Sequence, residues 1–322
     1  MLIVGIDISK ATFDCVVLDK DILPHRQFVN DVTGFKALSI WLKQYQEARL
    51  FCMEATGIYG VLLAKYLHQQ DHNILVVNPI KTHAFAKMAM TRNKTDKVDA
   101  KCIAHFCQHL VNQGDWQRQL FRPKALGFER LQHLVTRLEQ LNKLLNQENN
   151  RLQVSQDKAT TKSITAMIKS IKTQLRCVEK TLSEITEQEP ELKNQVALLN
   201  TINGIGNKTA WAILAYLGDI TLFDNAKQVA SYAGLNPKIE QSGSSVNRSR
   251  LSKIGNPRLR KALYMPSLVA IQHNPLMTQL YERLQQNGKP KKVALCAVMR
   301  KLLVLSYGVL KSGEAFDVNY AK

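Results

Sequence analysis

Between residues 131 and 185 the apolar side chains recur at alternating steps of three and four. Leu131, Leu134, Leu138, Leu141, Leu145 and Leu152 form one stripe, and Ile164, Met167, Ile168, Ile171, Leu175, Val178, Leu182 and Ile185 form a second. This is the seam of a coiled coil. The polar stretch Gln156–Lys162 separates the stripes, and Pro190 ends the second. The pattern predicts two antiparallel helices, a coiled coil within residues 119–193 that also suits the joining of copies of the chain. It leaves a segment at 1–118 and another at 194–322.

Residues 1–118 read as α/β. Leu2–Asp7 is an apolar run ending in an acid, Phe13–Leu18 is a second strand, and Ile22–Val29 a third. A helix is expected over Gly34–Gln46, with Phe35, Leu38, Trp41 and Leu42 at helical spacing. Arg49–Ala55 is a strand that ends at Glu54, a helix then carries Leu62, Leu63 and Leu67, and the strand Asn73–Val77 stops at Asn78-Pro79. Antiparallel strands followed by strands alternating with helices predict a mixed sheet with helices packed on it. Residues 194–322 read as mainly helical. They have a central loop at about 236–257 and a final core helix at about 292–310.

The 322 residues (36.4 kDa) suffice for two domains, and a hydrophobic share of 45% supplies a core. Lys and Arg number 44 against 26 Asp and Glu, a net charge of +18. A polyanion is the first partner to expect, nucleic acid before an anionic membrane surface. The charge is uneven, since residues 201–322 hold 17 Lys or Arg against 6 Asp or Glu. No run of about 18 apolar residues predicts a transmembrane helix, and the first strand begins too early for a signal peptide. Cys15, Cys52, Cys102, Cys107, Cys177 and Cys296 form no C-x-x-C pair. Reduced thiols of a cytoplasmic protein fit better than a zinc site.

Four acids stand where chemistry is possible. Asp7 ends the first strand and Glu54 a later one, while Asp96 and Asp99 are spaced to share one helical face. Thr95 or Asp96 suits the start of that helix. Carboxylates converging from two strand ends and a helix repel one another unless a hard cation neutralises them. Mg²⁺ takes oxygen ligands, and such ions stabilise the attacking and leaving oxygens of phosphoryl transfer. Taken singly, an acid after a strand is a turn former and an i,i+3 Asp pair a solvated helix face.

The motifs Gly5-Ile6-Asp7-Ile8-Ser9-Lys10, Met53-Glu54-Ala55-Thr56-Gly57-Ile58-Tyr59 and Arg92-Asn93-Lys94-Thr95-Asp96-Lys97-Val98-Asp99-Ala100 resemble the RuvC/RNase H-like domain of the DEDD insertion-sequence transposases. These are the Piv/MooV-like enzymes, whose bacterial insertion-sequence branch is guided by a structured bridge RNA. The resemblance covers essentially the whole chain. It implies an α/β RNase H/RuvC-like N-terminal domain, a coiled-coil insert and a mainly α-helical C-terminal transposase domain. It also implies that Asp7, Glu54, Asp96 and Asp99 hold Mg²⁺, and that the partners are donor and target DNA and a bridge RNA.

Two further motifs lie in the basic third of the chain. Asn203-Gly204-Ile205-Gly206-Asn207-Lys208-Thr209 resembles a helix-hairpin-helix DNA-binding element. Gly204 and Gly206 would let a backbone approach, helix N–H groups near Thr209 would receive a phosphate, and Lys208 would add charge. The bland alternative is a glycine turn between helices. One residue between the glycines rules out a P-loop. The other motif is Ser242-Gly243-Ser244-Ser245-Val246-Asn247-Arg248-Ser249-Arg250, with Ser252 to Lys261 beyond it. By themselves such serines read as caps or loop solvation, and no neighbouring His activates one.

S-G-x-S with a basic stretch, [ST]-K-x-G and L-R-x-A-L-Y resembles the same family's C-terminal domain. The resemblance places the nucleophile at Ser242, beside Ser244 and Ser245. It would attack the scissile phosphate to leave a phosphoserine link, in one composite site with the acids. Arg248, Arg250, Lys253, Arg258, Arg260 and Lys261 are the expected phosphate contacts, solvated surface charge being the alternative. The runner-up reading is a junction-resolvase-like nuclease in which the acids activate water and Ser242 is structural. A third is a non-catalytic DNA-architectural protein. Exchange of four strands between two duplexes implies a homo-oligomer, a tetramer built as a dimer of dimers.

Overall fold

The first apolar run becomes the central strand of a sheet. β1 (Leu2–Ile8) pairs antiparallel with β2 (Thr12–Leu18), which pairs antiparallel with β3 (His25–Val29). On its other edge β1 runs parallel to β4 (Arg49–Glu54), and β4 parallel to β5 (Asn73–Val77). The order is β3-β2-β1-β4-β5. A central strand covered on both faces is apolar without alternation, which is why Leu2 to Ile6 reads as one run. The computed structural model describes residues 1–18, 23–45, 49–55, 57, 59–89, 95–114, 116–242 and 246–317. It divides into two units, Met1–Pro123 and Lys124–Lys322.

In the first unit, side chains of alternate residues leave opposite faces of the sheet. Leu2, Val4, Ile6, Phe13 and Phe51 join Phe35, Leu38 and Leu42 of α1 (Val32–Leu42) and Leu63 and Leu67 of α2 (Val61–Gln69) in one core. Ile3, Leu50, Cys52 and Leu75 form the other with Ile103, Ala104, Cys107 and Leu110 of α4 (Asp96–Gln113). α3 (Pro79–Met88) lies between β5 and α4 in the chain, with Asn78 as its cap. Gly5 faces α4, where an added Cβ would stand 2.3 Å from the Ala100 carbonyl oxygen. The missing side chain lets the backbone of α4 settle on β1.

The second unit begins with α5 (Leu126–Val154) and α6 (Lys158–Gln188). Leu138 and Leu141 cluster with Ile171 and Leu175, while Leu131 and Val135 share a core with Leu182 and Ile185. Sequence order is reversed between the partners, so the helices are antiparallel. The break between them is shorter than its polarity suggests. Asp157 accepts a 2.7 Å bond from Thr160 N and restarts the helix at once. At their base these helices merge into the core of the C-terminal helices: Leu182 and Ile185 cluster with Trp211, Leu214, Leu302 and Leu303.

Those C-terminal elements are α7 (Pro190–Asn200), α8 (Asn207–Leu217) and α9 (Ala226–Tyr232), then the strands β6 (Pro237–Ser242) and β7 (Val246–Leu251). α10 (Pro257–Ala262), α11 (Tyr264–His273), α12 (Pro275–Gln286) and α13 (Lys291–Ser312) complete the unit. The expected loop at 236–257 is mostly an antiparallel hairpin, its polar strands joined by backbone pairing and by Glu240 bridging Lys238 and Arg250. α13 is long and apolar enough to cross a membrane by length and composition, the one such helix among the described residues. Val298, Leu302 and Leu303 on it are fully buried in the core.

Candidate functional site

β1 and β4 run parallel and in register, with Ile6 opposite Met53, so Asp7 and Glu54 leave the same face at the same end of neighbouring strands. α4 begins there. Thr95 is its cap, its hydroxyl accepting from Val98 N at 3.3 Å, and Asp96 and Asp99 occupy the first turn, where the helix dipole favours negative charge. Ala100 and Ala104 then seat the helix on Gly5. The first turn thus lies over the end of β1.

The electrostatics of Asp7 record the convergence. Its carboxyl is raised to about 6, first by burial and then by the charges of Asp99, Asp96 and Glu54, against a small opposing bond from the Ile8 backbone. Cys102 is raised too, by burial and then by Asp99 and Glu54. Asp99, Asp96 and Glu54 are therefore each near enough to act on the charge of Asp7. The four carboxylates suit a hard divalent cation in donor type and charge, and their repulsion is what such an ion would relieve. They do not form a closed coordination shell: no group of three or more His, Cys, Asp or Glu among the described residues is arranged to hold an ion.

The glycine motif joins α7 to α8. Gly204 has φ 106°, and an added Cβ would lie 2.7 Å from Ala270 Cβ, so this glycine serves packing against α11. Gly206 is the cap of α8, with nothing within 4 Å of where its Cβ would be. Thr209 lies in the first turn of α8, its N–H bonded to the Gly206 carbonyl at 2.9 Å. Lys208 is engaged inside the molecule, 2.6 Å from Glu179.

Ser242 is the last residue of β6 and pairs with Val246, two places from the Glu240–Arg248 pair. Arg248 and Arg250 stand on the partner strand β7, Arg248 opposite Glu240 and Arg250 opposite Lys238. Gly243, Ser244 and Ser245 lie outside the described residues. Arg250 bonds Glu240 at 2.8 Å. Arg258 donates to Thr136 at 3.2 Å and stands 5.9 Å over the Tyr216 ring. The Arg260 guanidinium donates to the Ala233 carbonyl at 2.8 Å and to that of Lys253, pinning the turn in which Lys253 takes φ 57°. Lys261 is exposed. The basic cluster is therefore partly a scaffold for the hairpin.

Comparison with known proteins decides the family. Residues 4–158 match the DEDD-type IS110 family model described as "Transposase", and residues 196–282 match "Transposase IS116/IS110/IS902 family". The pilin gene-inverting proteins of Moraxella bovis and Moraxella lacunata are each 35% identical over 319 residues, 98% of this chain and 97% of theirs. The chain belongs to the IS110-type transposase family. The "Insertion element IS110 uncharacterized 43.6 kDa protein" of Streptomyces coelicolor is 27% identical over 147 residues, 42% of this chain and 36% of that protein. As an IS110-type transposase the chain is a DNA-recombining enzyme, and its DEDD domain goes with dependence on a divalent metal. The DEDD match spans all four acids; the second match spans the glycine motif and the serine hairpin.

Sequence reasoning missed two polar groups of this IS110-type transposase. Asp14 lies opposite Asp7 in the β1–β2 register and is buried. Both its oxygens are engaged, by His25 Nε2 at 2.6 Å and by Gln27 Nε2 at 2.8 Å. An acid inside the run Phe13–Leu18 was the available signal, but its partners depend on strand pairing. The other is Thr82 on α3, whose hydroxyl donates to Glu54. Nothing in its local sequence distinguishes it.

Proposed function

We propose that this chain cuts and rejoins DNA through a covalent phosphoserine link at Ser242, aided by Mg²⁺ held by Asp7, Glu54, Asp96 and Asp99. The observation that carries the metal half is geometric: Asp7 and Glu54 stand at one end of the parallel strands β1 and β4, and α4, seated on Gly5, begins there with Asp96 and Asp99 in its first turn; the raised Asp7 carboxyl accords with it. When bound, the cation supplies charge stabilisation for the oxygens of phosphoryl transfer. The order of antiparallel then parallel strands, with acids at the ends of β1 and β4, supports an RNase H/RuvC-like reading of the first unit.

The serine half rests on the family resemblance and on register. Ser242 ends β6, whose partner strand β7 carries Arg248 and Arg250, cations suited to a phosphate and to its transition-state charge. The serine oxygen forms a bond to phosphorus as the bond to the departing deoxyribose oxygen breaks. The serine gives up its proton, and the departing oxygen takes one up to leave as a hydroxyl. A hydroxyl of the incoming strand reverses the step and frees Ser242. Gly204, Gly206, Lys208 and Thr209 would position the backbone, with Arg248, Arg250, Lys253, Arg258, Arg260 and Lys261 along it. The coiled coil of α5 and α6 would join copies into a tetramer. A bridge RNA that selects donor and target completes the reading. It is supported by the family resemblance and by a net charge suited to either nucleic acid.

The test is a denaturing gel of protein mixed with Mg²⁺, donor and target DNA, and transcripts of the element's noncoding flanks. A protein–DNA adduct is expected in wild type and absent in Ser242→Ala and Asp96→Ala. Loss of the adduct in Ser244→Ala with retention in Ser242→Ala moves the nucleophile. Cleaved DNA without an adduct in any lane replaces this reading with the metal-dependent nuclease.

A further inference from the structure

Thr82 lies in the second turn of α3 and is 2% exposed. Its hydroxyl donates to Oε1 of Glu54, and the Pro79 carbonyl oxygen stands 2.9 Å away as a rival acceptor. A hydroxyl has one proton to give. A helical threonine usually gives it to the carbonyl three or four residues back. Here a carboxylate competes, and a hydrogen bond to an ionised acceptor is roughly twice as strong as a neutral one. Away from water that difference is not levelled by solvent, so the proton belongs to Glu54.

The fold arranges this meeting. Glu54 pairs with Val77 across β4 and β5. Asn78 comes immediately after, its side chain accepting from Ile80 N at 2.9 Å, and Pro79 opens α3. A capped helix starting directly after β5 brings its fourth residue beside the end of β4. Thr82 is thus 28 residues from Glu54 in sequence and in contact with it in space.

We infer that Thr82 is a positioning residue for the divalent cation, acting through Glu54. It holds the carboxylate in one orientation as the chain folds, so less ordering is left to do when the ion binds. Loss of a partner that orients a metal ligand typically weakens metal affinity about 10- to 100-fold. The inference rests on Glu54 being a metal ligand.

Calorimetric titration of the full chain with Mn²⁺ separates the two claims, using wild type, Thr82→Val, Thr82→Ser and Glu54→Gln. The expected result is binding weakened about 10-fold or more in Thr82→Val, restored to within a few-fold in Thr82→Ser, and lost in Glu54→Gln. Wild-type affinity in Thr82→Val, with Glu54→Gln inactive in binding, overturns the inference alone. Equal weakening in Thr82→Ser and Thr82→Val also overturns it, because packing rather than the hydroxyl would then matter. Unchanged binding in Glu54→Gln overturns the ligand assignment beneath it. Circular dichroism checks that each variant is folded. Should Thr82→Val misfold, Thr82→Ala gives the same comparison against Thr82→Ser.

Discussion

Asp7 keeps its proton to about pH 6 because it is half-buried and faces Asp99, Asp96 and Glu54. An acid raised in the folded state lowers stability as it ionises. Its favourable effect on the metal-free fold is complete below pH 3.8 and is lost as pH rises to about 6. Above that, the charged Asp7 costs roughly 1–2 kcal/mol after allowance for solvent screening. Asp7→Asn should therefore raise the metal-free Tm at pH 7.5 by roughly 3 °C while abolishing DNA cleavage. A thermal scan with chelator present checks this, and an unchanged or lowered Tm contradicts the account. On the proposed assignment of Asp7 as a metal ligand, Mn²⁺ displaces the same proton, and its affinity should fall about tenfold per unit below about pH 6 and level off above. Titrations at pH 5, 6, 7 and 8 read the curve directly.

At the scale of elements, the acid site depends on how closely α4 lies on β1. Gly5→Ala would put a methyl group against the Ala100 carbonyl and Ala104. A cost of about 1–3 kcal/mol in stability is expected, as for overpacked cores, together with weaker Mn²⁺ binding as the first turn of α4 shifts from Asp7. Urea unfolding and calorimetry measure both. The hairpin β6–β7 offers a second test. Glu240 holds Lys238 and Arg250 at 2.8 Å each. Glu240→Gln removes the carboxylate that competes with DNA for both cations, so affinity should rise while the log–log salt slope stays close to wild type; an unchanged affinity would show that neither contacts a phosphate. The elements themselves were legible to different degrees. The stripes of α5 and α6 and the apolar run of β1 declare their periods. β6 and β7 did not, since their residues are polar and their pairing is made by backbone groups that any sequence supplies.

At the scale of the whole molecule, charge governs association. Residues 201–322 carry 17 Lys or Arg against 6 Asp or Glu, but Lys208, Arg250, Arg258 and Arg260 already have partners within the chain. Exposed ion pairs are worth little, so Lys208 and Arg250 can exchange a carboxylate for a phosphate at small cost. Arg260 cannot do so without releasing the Lys253 turn. Lys208→Ala should weaken DNA binding uniformly across sequences and reduce the salt slope by about one unit. Arg260→Ala should instead lower thermal stability. Filter binding over a salt series, beside a thermal scan, distinguishes the two.

Sequence alone determined the period of each long element, the acids that end β1 and β4, the Asp96/Asp99 pair and the sign of the charge. All are local: they depend on spacing along the chain or on composition, which folding does not change. Tertiary structure decided what those residues meet. It set Asp7 among three carboxylates, gave Glu54 the hydroxyl of Thr82, buried Asp14 between His25 and Gln27, and turned part of the basic cluster into a brace. These contacts join residues up to dozens of positions apart through strand register and helix seating. Those geometries arise from the packing of the whole unit, and no local window of sequence contains them.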